Sequence, residues 1–218
     1  HTRLPVWPAW QGVALGALSL FGPLRPLADR LESSYGGRVC PMSLSDSPDA
    51  DPFILLVHHR HAFRGLDPLR PLFSAAIMPE GFPAHPHRGF ETLTYTLPRR
   101  GGLVHRDSEG CKMRYGGGAA QWMTAGCGML HEEMWDVSSD FVDFELYQLW
   151  VNLPPQHKMV APRVQLLRSS GSVQQVERRG KMGELREGAI PTRELEGGGV
   201  IVRAIASPDA TLTDAADG

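Results

Sequence analysis

The feature that most limits the fold of this chain is the regular return of turn residues between short apolar or alternating runs. Between Asp51 and Pro162, glycine-rich and proline-rich turns recur about every 8 to 12 residues, a spacing typical of all-β sandwiches and barrels. The runs at residues 52–59 and 144–154 have the length and the β-branched and aromatic content of strands. Helical periodicity is weak outside residues 12–31, so the pattern predicts an all-β domain.

Two histidines stand one residue apart in the segment HPHRGFETLTY, residues 85–95. Side chains two residues apart on a strand point to the same face, so His85 and His87 can present both imidazoles to one point. Pro86 has no N–H to donate to a sheet ladder, which places the pair at a strand end or a bulge. A histidine pair alone is more often incidental than a metal site, so further ligands are required.

The segment CGMLHEEMW supplies a second pair, His131 and Glu133, at the same strand spacing after a glycine-rich turn. If the two pairs face each other across a small barrel, they form a site of three imidazoles and one carboxylate. This donor set suits Fe(II), Mn, Ni, Cu or Zn, and the absence of thiolate argues against a closed structural zinc site. Four protein ligands would leave coordination positions for water, dioxygen or substrate, and Glu132 should point the other way.

Composition argues against several classes of function. The net charge of −2 and the pI near 6.5 give no global basic footprint, which argues against direct nucleic-acid binding. The three cysteines, Cys40, Cys111 and Cys127, are not in CxxC spacing, which argues against a disulfide framework and indicates a reducing compartment. No apolar run reaches the roughly 20 residues that a membrane span needs. We therefore expect a cytoplasmic or nuclear location and no membrane partner.

Three motifs in this order, GFPAHPHRGFETLTY, QWMTAGCGMLHEEM and QLWVNLP, resemble the pirin family, a branch of the cupin superfamily. The resemblance covers about residues 51–162, roughly half of the chain. It implies an all-β cupin fold, a double-stranded β-helix or jelly-roll barrel, which pirins usually carry twice in tandem. It also implies one metal ion, usually iron, in the N-terminal barrel, bound by the residues that match His85, His87, His131 and Glu133.

The resemblance predicts three parts of the chain. Residues 38–162 would form the pirin N-terminal cupin barrel. Residues 1–37 would be an N-terminal extension that is poorly ordered or serves in targeting, so organellar targeting stays open. Residues 163–218 are polar and glycine-rich and would form a linker and the truncated start of an incomplete second cupin domain.

Two functions are compatible with the resemblance. Some pirin-like proteins are quercetin 2,3-dioxygenases, which implies a small aromatic, flavonoid-like substrate and a catalytic role for Glu133 as acceptor of the flavonol proton. A pocket for a flat ligand would be lined by Phe90, Met123, Met129 and Trp150, although residues of these types more often belong simply to the core. Other pirins are nuclear co-regulators that bind a transcription factor in an iron-dependent way. The same four ligands serve both, so the sequence leaves both open.

Other polar residues near these motifs have simpler interpretations. Glu91 occupies a position where many cupins place a ligand carboxylate, but by resemblance to pirins we expect it either beside the metal ligands or in a structural role. His58, His59 and His61 are interpreted as surface or turn histidines. His105 is expected either beside the metal ligands or as a structural histidine.

Overall fold

The computed structural model describes residues 37–64, 80–98, 101–136 and 141–168 as continuous ranges. Shorter described segments lie elsewhere, at 4–5, 14, 17–28, 69, 72, 75–76, 175–178, 185–189, 192–194 and 201–203. The proposed N-terminal extension and second domain fall mostly outside these residues, so the three-part division stays a prediction.

The described residues form fifteen strands: β1 (Leu4–Pro5), β2 (Gly37–Ser43), β3 (Phe53–Arg64), β4 (Gly81–His87), β5 (Phe90–Thr96), β6 (Gly102–Asp107), β7 (Cys111–Gly116), β8 (Ala120–Thr124), β9 (Met129–Asp136), β10 (Phe141–Asn152), β11 (Arg163–Arg168), β12 (Gln175–Arg178), β13 (Leu185–Ala189), β14 (Thr192–Glu194) and β15 (Ile201–Arg203). Short 3-10 helices lie at Gly22–Leu24, Pro48–Ala50 and Pro155–His157. Within the described ranges, no helix has the length and apolar character to cross a membrane.

Most strands belong to two sheets. The larger sheet has the order β1-β2-β3-β10-β5-β8-β11-β13, and the smaller has the order β12-β7-β6-β9-β4. Pairing is antiparallel throughout, except that β13 lies parallel to β11. The strands of residues 175–178 and 185–189 thus extend the two sheets from within the polar segment. This arrangement confirms the predicted all-β cupin fold, as two facing sheets.

One apolar core lies between the two sheets. Leu103, Met113 and Trp135 come from the smaller sheet, and Phe144 and Leu166 come from the larger one, all within a single buried cluster. Alternate residues of a strand point to opposite faces, so every second position on β5 and β9 faces this core. A site built on those positions is therefore held between two sheets and shielded from water.

Strand β3 corrects the interpretation of the histidine-rich segment. His59 is only 1% exposed, and its ring packs against Trp135 with the ring centroids 4.6 Å apart. The prediction of a surface position for His59 was wrong because β3 runs on through the histidines with the same alternation, which turns His59 towards the core. His58 points the opposite way, stacks on Tyr147 and contacts Glu145; the side chain of His61 is outside the described residues.

Candidate metal centre

The two predicted ligand pairs lie on neighbouring strands at one edge of the smaller sheet. Strands β4 and β9 pair antiparallel, and His85 lies directly opposite His131 in the register. The pairing is irregular between Phe82 and His85, and β4 is the outer strand of its sheet. Pro86 is thus accommodated near the end of an edge strand, beside an irregularity, as its missing N–H predicts.

The three histidines converge. One ring nitrogen from each of His85, His87 and His131 lies within 4.8 Å of the others. The ring centroids are 4.4 Å apart for His85 and His131, and 4.8 Å apart for His87 and His131. His87 and His131 are buried, at 6% and 2% exposure, and His85 is half-buried at the outer side. The three imidazoles thus converge, but from neighbouring strands of one sheet rather than from opposite sides of a barrel.

Burial keeps the imidazoles of His87 and His131 neutral at neutral pH. Burial, and then the charge of His85, lowers the pKa of His87 from the usual 6.5 to about 4. Burial, followed by the charges of His105, His85 and His87, lowers the pKa of His131 to about 2. A neutral imidazole has a free lone pair, which is the form that binds a metal ion.

Two hydrogen-bonding features test whether these residues fit a metal. The Nδ1 atom of His85 lies 2.8 Å from the carbonyl oxygen of Pro83, which can only accept, so this nitrogen carries the proton and Nε2 is left with its lone pair. The Nε2 atom of His131 is fully buried and has no hydrogen-bond partner among the described residues. Because a buried polar atom without a partner is costly, a metal ion beside it would satisfy this nitrogen. The residues present fit a divalent transition metal.

Glu133 lies two residues after His131 on the same inward face of β9 and is 3% exposed. Among the described residues the group of converging potential metal ligands consists of the three histidines, and the Glu133 carboxylate is not part of it. Its Oε2 accepts a hydrogen bond from Gln148 Nε2 at 3.1 Å, and its Oε1 accepts a longer one from Thr94 Oγ1 at 3.5 Å. Burial raises the pKa of the Glu133 carboxyl, while the charges of His105 and His85 and these two hydrogen bonds lower it.

Sequence reasoning missed the residues of the opposite sheet that hold this carboxylate. Thr94 comes from β5 and Gln148 from β10, and Gln148 Oε1 in turn accepts a hydrogen bond from Trp150 Nε1 at 2.8 Å. Tyr115 is fully buried near Glu133, and burial and then the Glu133 charge raise the pKa of its phenol well above 10. The available signal was the alternation in β10, which puts Gln148 and Trp150 on one face.

An aromatic wall borders the triad. Phe90 and Trp150 stack with their ring centroids 4.9 Å apart. Each also packs against the His87 ring in an edge-to-face arrangement, with ring centroids 5.0 Å apart for Phe90 and 5.1 Å apart for Trp150. Both aromatic residues are half-buried. The other two predicted pocket residues, Met123 and Met129, are buried in the core cluster.

The remaining acidic candidates lie away from the triad. Glu91 points to the opposite face of β5 from Thr94, where it accepts hydrogen bonds from Trp122 Nε1 at 2.9 Å and Thr124 Oγ1 at 2.6 Å. Its structural role is as predicted. Glu132 points away from the core and pairs with Arg106 at the surface, as the strand alternation predicts.

Comparison with known proteins agrees with this geometry. A profile described as Pirin matches residues 39–151, just over half of the chain. A pirin-like protein of Arabidopsis thaliana is 44% identical over 112 residues, which are 50% of this chain and 36% of that protein. The chain thus spans less than two thirds of the length of the relatives it matches.

Two solved structures have a similar fold. A protein of Geobacillus kaustophilus aligns at a TM-score of 0.54 with 31% identity, over 81% of this chain and 56% of that one. A quercetin 2,3-dioxygenase of Acinetobacter baumannii aligns at 0.51 with 30% identity, over 78% of this chain and 49% of that one. Together with the family profile, the two facing sheets and the triad of histidines, these similarities establish that the chain belongs to the pirin family of cupins.

Proposed function

We propose that this protein is a metal-dependent dioxygenase of the quercetin 2,3-dioxygenase type, which acts on flavonol-like substrates. The observation that carries the proposal is the convergence of three imidazoles near a buried carboxylate and a half-buried aromatic wall. The similarity to the Acinetobacter baumannii quercetin 2,3-dioxygenase supports the same reaction class.

The metal ligands in this proposal are His85, His87, His131 and Glu133, and the proposed ion is Fe(II). Mn, Ni, Cu and Zn share the preference for imidazole and carboxylate donors, so the protein's donor set also accommodates them. When bound, the metal supplies a Lewis acid that lowers the pKa of a coordinated substrate hydroxyl and a centre at which dioxygen chemistry takes place.

Glu133 is the proposed acceptor of the flavonol hydroxyl proton. Its carboxylate is buried, and burial raises its pKa, which brings a carboxylate closer to the range of an effective general base. Gln148 holds Oε2 at 3.1 Å, whereas Oε1 has only the longer contact from Thr94 at 3.5 Å, so Oε1 is the oxygen we assign to proton transfer. Glu133 then holds the proton in a site from which the two sheets exclude bulk water.

The aromatic wall of Phe90 and Trp150 next to His87 supports a flat aromatic substrate. Phe90 and Trp150 form a stacked aromatic pair, and both side chains are partly exposed. Flat aromatic molecules stack favourably on such a surface. A flavonol held there would lie beside His87, with its hydroxyl groups towards the triad and Glu133.

Metal content measured by mass spectrometry, followed by a turnover assay, tests the proposal. After anaerobic Fe(II) reconstitution, we expect about one equivalent of iron in the wild-type protein and in a His58→Gln control, whose histidine lies on the outer face, and a loss of iron in His87→Ala and Glu133→Ala. The loaded protein should then show oxygen-dependent loss of the flavonol absorbance band.

The two stages of this experiment have separate outcomes. A wild-type protein that takes up no metal after reconstitution would overturn the proposal. A metal-loaded protein without turnover would instead favour the predicted alternative, a metal-dependent module that binds a transcription factor.

A further inference from the structure

Three buried side chains, Asp107, His105 and His131, form a line that leads from β6 into the triad. Asp107 Oδ2 lies 2.8 Å from His105 Nε2, and the side chains of both residues are 0% exposed. The other ring nitrogen of His105, Nδ1, lies 3.5 Å from His131 Nδ1. Asp107 and His105 share one face of β6, and Asp107 is the register partner of His131 on β9.

We propose that Asp107 and His105 form a hydrogen-bond relay that fixes the proton of His131 on Nδ1 and so keeps its Nε2 available as a metal ligand. This inference rests on the metal-binding role of His131 in the proposed function. It makes His105 and Asp107 positioning residues that act on the metal through His131.

The direction of the relay follows from the donors and acceptors. An ionised carboxylate only accepts hydrogen bonds, so the proton between Asp107 and His105 sits on His105 Nε2. In a neutral imidazole the other nitrogen is then an acceptor, so His105 Nδ1 accepts from His131 Nδ1–H. The remaining nitrogen of His131, Nε2, carries a lone pair, and it is this buried atom that lacks a hydrogen-bond partner among the described residues.

The turn after β6 fixes the orientation of Asp107. Its Oδ1 accepts hydrogen bonds from the backbone N–H groups of Glu109 and Cys111, both at 3.0 Å. These two donors hold one carboxylate oxygen in the turn between β6 and β7, which leaves Oδ2 to face His105. The carboxylate therefore cannot rotate away from the histidine without losing both turn hydrogen bonds.

The substitution Asp107→Asn should reverse the direction of each hydrogen bond in the relay while conserving the shape of the side chain. The amide oxygen would stay with the two backbone N–H groups, so the amide NH₂ would face His105 and donate to it. His105 would then accept at Nε2 and donate from Nδ1, and His131 would accept at Nδ1 and carry its proton on Nε2. That tautomer cannot bind a metal through Nε2.

Histidine side-chain ¹⁵N–¹H NMR of the metal-free full chain tests the relay directly, because it reports which ring nitrogen carries the proton. With the His131 signals assigned by a His131→Gln variant, we expect the Nδ1–H form in the wild type and the Nε2–H form in Asp107→Asn. Glu132→Gln is the matched control, since it makes the same carboxylate-to-amide change on the outer face of β9 and should leave His131 in the Nδ1–H form.

Metal affinity supplies the second readout. Titration with Zn(II) should give an affinity about 10- to 100-fold weaker for Asp107→Asn than for the wild type or Glu132→Gln. The variant His105→Phe, which keeps a ring but removes the acceptor, should show a mixture of His131 tautomers and a similar loss. If Asp107→Asn does not fold, as judged by circular dichroism, His105→Phe and the wild-type tautomer still decide the question.

The outcomes separate this inference from the proposed function. A wild-type His131 in the Nε2–H or doubly protonated form, or an Asp107→Asn variant with unchanged tautomer and affinity, would overturn the relay. A correct tautomer in a wild-type protein that binds no metal would leave the relay in place and overturn the proposed function instead.

Discussion

Gln148 donates a hydrogen bond from its Nε2 to Oε2 of Glu133 at 3.1 Å, across the space between the two sheets. The same nitrogen lies 3.1 Å from Thr94 Oγ1, and the amide oxygen accepts from Trp150. All three polar functions of Gln148 are thus engaged, and the carboxylate of Glu133 is held in one orientation. The larger sheet therefore positions a candidate catalytic group that the smaller sheet carries.

The substitution Gln148→Met tests this support. The hydrogen bond from Gln148 lowers the pKa of Glu133, so its loss should raise that pKa. We expect the acidic limb of the pH–rate profile for flavonol turnover to move to higher pH, with kcat/KM at pH 7 reduced about 10-fold or more. Bound metal should remain close to the wild-type amount because all four proposed ligands are intact.

A matched control is Gln121→Met, which removes another buried glutamine from the larger sheet, one that donates to Met113 rather than to Glu133. Its pH–rate profile should coincide with that of the wild type. Equal pH–rate profiles for Gln148→Met and the wild type would contradict the positioning role of Gln148.

Trp150 should contribute to substrate binding through its stacked ring. In Trp150→Ala the aromatic wall beside His87 is lost, and we expect KM for a flavonol to rise about 10-fold or more. Trp150→Phe keeps an aromatic face but removes the indole donor to Gln148, so its KM should stay near the wild-type value while kcat falls. Steady-state kinetics of the two variants separates these effects, and an unchanged KM in Trp150→Ala would exclude the wall as the binding surface.

The stability of the metal-free protein should fall on acidification. The pKa of His87 is about 4 in the folded chain and about 6.5 when unfolded, so between these values the unfolded state binds more protons. The free energy of unfolding therefore decreases as pH falls through this window, by up to roughly 1.4 kcal/mol per pH unit for this one group. His131, with its pKa of about 2, acts in the same direction, and Glu133, whose pKa is raised, acts in the opposite one.

Urea denaturation at pH 7, 6 and 5 measures this dependence. Comparison with His87→Gln isolates one imidazole, and the variant should lose less stability between pH 7 and 5 than the wild type. Parallel curves for the two proteins would show that His87 is protonated in the folded chain as readily as in the unfolded one.

Gly126 is required by the turn that precedes β9. Its φ is +53°, and a Cβ atom there would collide with the carbonyl oxygen of Val160. Gly126→Ala should therefore lower the free energy of unfolding by about 1–3 kcal/mol or more, which thermal unfolding would detect as a lowered Tm. Gly22→Ala, at a position where a Cβ meets nothing within 4 Å, should remain within about 0.5 kcal/mol of the wild type.

Strand alternation alone accounts for much of what the sequence predicted. It places His85 and His87 on one side of β4 and His131 and Glu133 on one side of β9, and it turns Glu132 outwards, all as observed. Such patterns are local, because the direction of each side chain depends only on its position along its own strand.

What the sequence could not supply depends on how the two sheets face each other. The contacts of Thr94 and Gln148 with Glu133 cross from one sheet to the other, and no local pattern encodes that distance. His59 was misjudged because a polar residue type suggested a surface, whereas its place in a long strand with a buried face decided its burial. The role of Asp107 was missed for a similar reason, since the turn amides that orient it become visible only in three dimensions.

The direct pairing of His85 with His131 also has a consequence for how the chain folds. These residues are 46 positions apart, and β5, β6, β7 and β8 lie between them in the chain. Closing so long a loop is entropically costly, and contacts of this kind form late unless the intervening strands have already assembled. In a refolding experiment, metal capture should therefore lag behind strand formation, and it would mark the moment at which the barrel is complete.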